Sequence, residues 1–223
     1  MAQIVDLSFP AVPNFPNGGM SYEQRYQNEL NNILRLYLER LTAQLQALSG
    51  SGGGFFLQFP HIAASSSADQ LATATDTPTL VLWDTLEAGM GFTLNPTGSA
   101  TAAYTGVYKI TYSLQLVNTD NAAHDATVWL RVNGVDVPRS ATVFTVPARK
   151  SAGVYSYVCA YSEAVFTVTT GDYIELYWAT DQAYDTSPAT SGIYIEYLPA
   201  STSPYTRPAI PSAIGSITFV SGT

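Results

Sequence analysis

The sequence is poor in charge and in cysteine, and these shortages exclude several classes of protein. Charged residues make up 12% of the 223 residues, against about 25% in an average globular domain. The single cysteine excludes an intrachain disulfide. Because 9 basic residues face 17 acidic ones, with a net charge of −8, nucleic-acid binding through basic patches and docking on anionic membranes are not expected. A chain with so little charge is typical of a subunit in a stable assembly.

Signatures of catalysis and of cofactor binding are also missing. The two histidines, His61 and His124, have neither a nucleophile nor a metal ligand at a characteristic spacing, and no G-x-S-x-G, H-E-x-x-H or phosphate-binding glycine motif is present. Asp181 and Asp185 share one loop and are the best pair for Ca²⁺, although a solvated loop is the favoured interpretation. We therefore expect a protein that is not an enzyme and that holds no cofactor.

Two further features bear on the compartment. Residues 1–6 have no basic region and no long apolar core, so a signal peptide is not expected, and no stretch approaches the roughly 18 apolar residues of a membrane span. Cys159 lies in an apolar setting between Val158 and Ala160, which predicts a buried, unreactive thiol. We expect a chain made soluble in a cytoplasm, without insertion into a membrane.

One long amphipathic helix is predicted over residues 21–48. Ser21 and Gln24 fit a capping box, and Gly50 follows as a typical helix stop. Apolar residues recur at steps of three and four: Tyr22, Tyr26, Leu30, Ile33, Leu34, Tyr37, Leu38, Leu41, Leu45 and Leu48. Such a stripe needs a partner, which is another copy of the helix, the remainder of the chain, or a different protein.

The helix is flanked by an arm and a hinge. Residues 1–20 form an extended apolar arm, because three regularly spaced prolines forbid a helix there. Residues 49–54 are rich in glycine and serine and predict a flexible hinge. The hinge favours docking of the arm and helix on a partner outside the head. The candidate docking residues are Ile4, Phe9, Phe15, Leu30, Leu34, Tyr37, Leu41 and Leu45.

Residues 55–223 predict a β-sandwich or jelly roll of about eight to ten short strands. Residues 106–116 alternate strictly, with Tyr108 and Leu114 on one face and Lys109 on the other, as in a half-buried strand. Asn133 and Gly134 indicate a hairpin. The other predicted strands are 55–59, 79–83, 126–132, 135–146, 154–166, 173–178, 193–198 and 214–220. Residues 63–75 predict a loop.

Two rows of tyrosines stand out in these strands. Tyr155, Tyr157 and Tyr161 share one strand face by even spacing, and so do Tyr173 and Tyr177. Buried aromatic side chains are common at the centre of an oligomer interface, so we expect these residues to line a trimer axis. Stacking on sugars is the alternative.

The order of three short motifs resembles the globular head of the C1q and tumour-necrosis-factor group. They are Gly106-Val107-Tyr108, Val132-Asn133-Gly134 and residues 170–176, which read Thr-Gly-Asp-Tyr-Ile-Glu-Leu. The likeness covers roughly residues 76–199. It implies a ten-strand jelly roll that forms homotrimers. The collagen stalk and signal peptide of the secreted members are missing, so a complement or cytokine function is not implied.

The flanks are similar to other proteins. Residues 32–41 resemble a helix near the start of short virion proteins of tailed bacteriophages, and residues 206–214 resemble a segment near their ends. This resemblance implies a virion structural protein, bound through its arm and helix to a major capsid, tail or adaptor protein. Capsid decoration and a short tail knob or fibre both remain open. The alternative function is a carbohydrate- or receptor-binding module of a tail fibre, with a host-surface glycan as a further candidate partner.

Overall fold

The computed structural model describes residues 13–14, 23–49, 59–185 and 191–222. The chain divides into two compact units, Met1–Gln58 and Phe59–Thr223. The predicted docking residues Ile4, Phe9 and Phe15 lie outside the described residues, and so do hinge residues 50–54. Residues 55–58 of the predicted head are also outside the described residues, so the described part of the head starts at Phe59.

The described part of the first unit contains one helix, α1, at Gln24–Ser49. It begins after Glu23, whose carbonyl accepts the first helical hydrogen bond from the Gln27 amide (3.1 Å). Residues 21 and 22 of the predicted helix, including the predicted cap Ser21, lie outside the described residues. Leu34 and Leu45 of the predicted stripe are 37% and 52% exposed, while Leu30, Tyr37 and Leu41 are half-buried. No helix in the described part of the chain is long and apolar enough to cross a membrane.

The second unit is built of short and long β-strands. In chain order they are β1 His61–Ser66, β2 Gln70–Leu71, β3 Thr79–Leu80, β4 Thr85–Met90, β5 Phe92–Leu94, β6 Ala100–Ala102, β7 Gly106–Asn118, β8 His124–Val132, β9 Val135–Asp136, β10 Thr142–Val146, β11 Ser156–Val168, β12 Tyr173–Thr180, β13 Ile193–Ile195 and β14 Ala213–Ser221. They form two sheets. Sheet A contains β2, β13, β7, β14, β1, β4 and β11, and sheet B contains β10, β8, β12, β6, β5, β3 and β9.

The strands pair from the two ends of the unit inward. β1 pairs with β14, β6 with β12, β7 with β11 and β8 with β10, always antiparallel. Sheet A therefore carries the order β1-β14-β7-β11 and sheet B the order β6-β12-β8-β10. A long hairpin rolled into two sheets in this way is a jelly roll, which confirms the predicted β-sandwich architecture of the head.

The core lies between the two sheets and follows from alternation. On β7 the side chains of Tyr108, Ile110, Tyr112, Leu114 and Leu116 are buried, whereas the residues that alternate with them are half-buried. Sheet B contributes Trp178, among others, to the same cluster. The predicted alternation of residues 106–116 is confirmed.

The structure corrects two predictions about strands. β1 lies where a loop was predicted from residue 63, because Ala64 and its small neighbours fit between β14 and β4. The predicted strand 135–146 is broken into β9 and β10, since Pro138 cannot donate a ladder hydrogen bond. The predicted hairpin is confirmed: Asn133 and Gly134 both have positive φ, 53° and 76°, as a type I′ turn requires.

One close contact in the core depends on a glycine. Gly215 of β14 lies beneath the Trp83 indole, and a Cβ at this position would come within 2.8 Å of Trp83 Cη2. Real Cβ atoms do not approach a ring carbon so closely, so the indole must move if any side chain is added. The absence of a side chain at residue 215 therefore lets Trp83 pack on sheet A.

We expect Gly215→Ala to lower the free energy of unfolding by about 1–3 kcal/mol, the usual cost of overpacking a core. Urea denaturation of the full chain measures the effect. Gly222→Ala is the matched control, because a Cβ there meets no atom within 4 Å. Equal stability of the two variants would contradict the packing of Trp83 on β14.

Candidate interaction surfaces

The outer face of sheet A is formed by alternate residues of β7, β11 and β14, the three strands that pair side by side. It contains two of the predicted trimer-interface residues, Tyr157 and Tyr161. We call it the sheet A face. It consists of Val107, Lys109, Thr111, Ser113, Gln115, Tyr157, Cys159, Tyr161, Glu163, Val165, Thr167, Ile214, Ser216, Thr218 and Val220.

The sheet A face mixes exposed apolar side chains with polar ones and carries no net charge. Tyr161, Val165 and Ile214 are 54%, 57% and 47% exposed. The two charged residues of the face, Lys109 and Glu163, neutralise each other through a contact of 2.6 Å between Lys109 Nζ and Glu163 Oε2. The hydrogen bond from Lys109 lowers the pKa of the Glu163 carboxyl. Aromatic enrichment with depletion of unpaired charge is typical of a protein–protein interface core.

Cys159 lies on the sheet A face, and its thiol is exposed. The prediction of a buried thiol is therefore wrong. Its apolar neighbours in sequence were correctly read as a strand, but alternation turns Cys159 outward together with Tyr157 and Tyr161. An apolar context on a half-buried strand indicates the strand and does not say which of its faces is inside.

A buried carboxylate lies at one end of this face. Glu196 is 9% exposed, and Tyr194 Oη donates to its Oε1 at 2.8 Å. Its Oε2 is buried and accepts no hydrogen bond within the described residues. Burial, followed by the negative charge of Glu196, raises the pKa of Tyr157 to about 12. The pKa of Tyr194 is also raised, by burial and then by its hydrogen bond to Glu196.

The structure separates the two rows of tyrosines. Tyr157 and Tyr161 are on the sheet A face, and Tyr155 comes just before β11. Tyr173 and Tyr177 belong to β12 in sheet B. One flat interface cannot contain both rows, because the two sheets face opposite directions.

The candidate metal ligands have other contacts. Asp181 Oδ1 accepts a hydrogen bond from the Asp125 amide (3.0 Å) and lies 3.4 Å from His124 Nδ1. The Asp185 amide donates to the Ser191 carbonyl (3.1 Å). A cluster of three or more histidine, cysteine, aspartate or glutamate side chains arranged for a metal ion does not occur among the residues that the structure describes.

His124 ties two loops of the head together. Its Nε2 lies 2.8 Å from Asp120 Oδ2, in the turn before β8, and its Nδ1 faces Asp181, in the turn after β12. The hydrogen bond from His124, together with one from the Asn121 amide, lowers the pKa of Asp120 below 3.8. This geometry joins the loops at one end of the sandwich and holds no reactive group.

We expect Asp120→Asn to destabilise the full chain at neutral pH and to have no effect near pH 2. Because the folded state lowers the pKa of Asp120, its contribution is complete above the unfolded value of 3.8. That contribution is lost as the pH falls through the lower folded value. Urea denaturation across this range measures it, and an effect of Asp120→Asn that is independent of pH would contradict the assignment.

Comparison with known proteins gives distant structural similarities. No known protein family and no curated protein matches this chain. Among solved structures, it is similar to the globular domain of zebrafish complement 1qA protein, at 11% identity, over 74% of this chain and 100% of that chain, with a TM-score of 0.44. It is also similar to Eiger TNF from S. frugiperda, at 14% identity, over 74% and 96% of the two chains, with a TM-score of 0.43. Both TM-scores are low, so the jelly-roll assignment is based on the strand pairings above.

Proposed function

We propose that this chain is a homotrimeric structural subunit of a bacteriophage particle. In this proposal the jelly-roll heads associate through the sheet A face. The arm and α1 bind a capsid, tail or adaptor protein. The observation that carries the proposal is the outer face of sheet A, which exposes Tyr161, Val165 and Ile214 to solvent and carries no net charge.

The sheet A face supports self-association because it exposes apolar side chains to water. Burying exposed apolar area contributes roughly 25 cal/mol per Å², and the Lys109–Glu163 pair brings no uncompensated charge into an interface. Since Tyr173 and Tyr177 lie on the other sheet, the proposed interface contains Tyr157 and Tyr161 and excludes the second row.

The helix supports docking on a partner. Leu34, Leu38 and Leu45 are exposed on α1, whereas Arg35 and Glu39 form an exposed ion pair on another side of it. Binding of an amphipathic helix in an apolar groove is favourable, because the groove removes the exposed leucine side chains from water. Three such helices in one trimer bind with a raised effective concentration, so that three weak contacts hold firmly.

The phage particle enters this proposal from the sequence alone. Residues 32–41 and 206–214 resemble segments of phage virion proteins. A tail fibre needs a longer shaft than one helix provides. We therefore favour capsid decoration or a short knob. Several hundred copies per particle would indicate decoration, and a few copies would indicate a knob.

We expect the double substitution Leu34→Asp and Leu41→Asp to abolish incorporation into particles while the head still folds and assembles. Charged side chains in place of these leucines cannot enter an apolar groove without a large desolvation cost. The measurement is the amount of variant that co-purifies with particles. The mass in solution is measured in parallel and should stay at three chains of 23.9 kDa each.

The matched control is Asn28→Asp with Asn32→Asp, which adds the same charge at exposed polar positions on the opposite side of α1. This control should be incorporated at the wild-type level. Incorporation of the leucine variant at that level would contradict the proposed anchor.

A further inference from the structure

The outer face of sheet B carries a row of large apolar side chains. Trp129 of β8 is paired with Tyr177 of β12, and Tyr177 is paired with Leu80 of β3 on its other side. All three side chains are half-buried. Neighbouring strands are about 4.8 Å apart, so the row is roughly 10 Å long. We call these three residues the sheet B row.

The two rings of the sheet B row are stacked. Their centroids are 6.1 Å apart, and their planes differ by 29°. The Arg131 guanidinium lies over the Tyr177 ring, 4.0 Å from its centroid, and 5.8 Å from the centroid of Trp129. These three distances place the guanidinium over Tyr177 on one side of both rings and not between them. Trp129 and Tyr177 therefore form an aromatic pair, and Arg131 lies closer to Tyr177 than to Trp129.

Polar groups line one side of the row and are held in place. Asp136 Oδ1 accepts hydrogen bonds from Trp129 Nε1, at 2.7 Å, and from Arg131 Nε. The Asp136 side chain is nevertheless 63% exposed, and Glu175 stands opposite Arg131 in the register. Two carboxylates beside one guanidinium leave this edge without excess positive charge.

The nearby turns are fixed to each other. Asn133 Nδ2 donates to Asp172 Oδ1 at 2.7 Å, and the Tyr173 amide donates to Asn133 Oδ1 at 3.0 Å. The hairpin that carries Asp136 is thereby joined to the start of β12, which carries Tyr177. A surface held in this way is organised before a ligand arrives, which reduces the entropy cost of binding.

We propose that the sheet B row binds a neutral oligosaccharide. The C–H groups of a pyranose pack on aromatic rings, whose faces are electron-rich. Arg131 and Asp136 are a donor and an acceptor beside those rings, placed to bind sugar hydroxyls, in keeping with the apolar floor and few polar groups of most ligand sites. An acidic saccharide or a phosphate is disfavoured by Asp136 and Glu175. The proposal does not depend on the phage assignment or on trimer formation.

Calorimetric titration of the full chain with maltohexaose, cellohexaose and mannohexaose tests the proposal, with hexagalacturonic acid as the acidic probe. We expect saturable binding of at least one neutral probe. Trp129→Ala should weaken that binding at least tenfold, which corresponds to about 1.4 kcal/mol. Trp129→Phe, which keeps an aromatic ring, should stay within a few-fold of wild type.

Two further variants keep the test decisive if Trp129→Ala folds poorly. Asp136→Asn changes an exposed carboxylate at the edge of the row and should weaken binding several-fold. Tyr205→Ala removes an exposed tyrosine that lies outside the strands of both sheets, and it should leave binding unchanged. The proposal is overturned if no neutral probe binds, if only hexagalacturonic acid binds, or if well-folded Trp129→Ala and Asp136→Asn both bind like wild type.

Discussion

The structure depends on the pairing of β7 along both of its edges. β11 covers one edge over the whole length of the strand, and β14 followed by β13 covers the other. Because partner strands lie along both edges, the backbone N–H and C=O groups of β7 are paired as in a central strand of a sheet. The side chains of β7 alternate, so that one set packs into the core of the sandwich and the other set contributes to the sheet A face. The core and the sheet A face therefore both follow from the register of one strand.

Much of the fold could be predicted from patterns that are local. Strict alternation identifies β7, and the asparagine-glycine pair identifies the hairpin after β8, because each depends on backbone geometry within a few residues. β1 could not be found in this way. Its alanines and serines have no strand preference of their own, and they form a strand because β14 and β4 pair with it from distant parts of the chain. Tertiary pairing overrides local propensity at that position.

The surfaces were less predictable than the fold, for a reason that lies in the alternation itself. Even spacing shows that Tyr157 and Tyr161 share a face, yet it does not say whether that face is inside or outside, or to which sheet it belongs. Cys159 was misjudged for this reason. The aromatic row on sheet B was missed because Trp129 and Tyr177 are 48 positions apart in the sequence and meet only through the pairing of β8 with β12. A tryptophan and an arginine two residues apart on a strand, Trp129 and Arg131, were the available signal.

If other copies of the chain cover the sheet A face, as we propose, they also cover Cys159. The reactivity of this thiol therefore reports directly on the assembly. This thiol is the only one in the sequence, and it is exposed on the isolated chain, between Tyr157 and Tyr161. The decisive measurement is the rate at which a maleimide alkylates Cys159 in the folded full chain at micromolar concentration, relative to the urea-unfolded chain. We expect Cys159 in the folded chain to be alkylated far more slowly than in the unfolded chain. The rate should rise on dilution, because the assembly then dissociates. A folded chain that reacts as fast as the unfolded one, at every concentration, would contradict it.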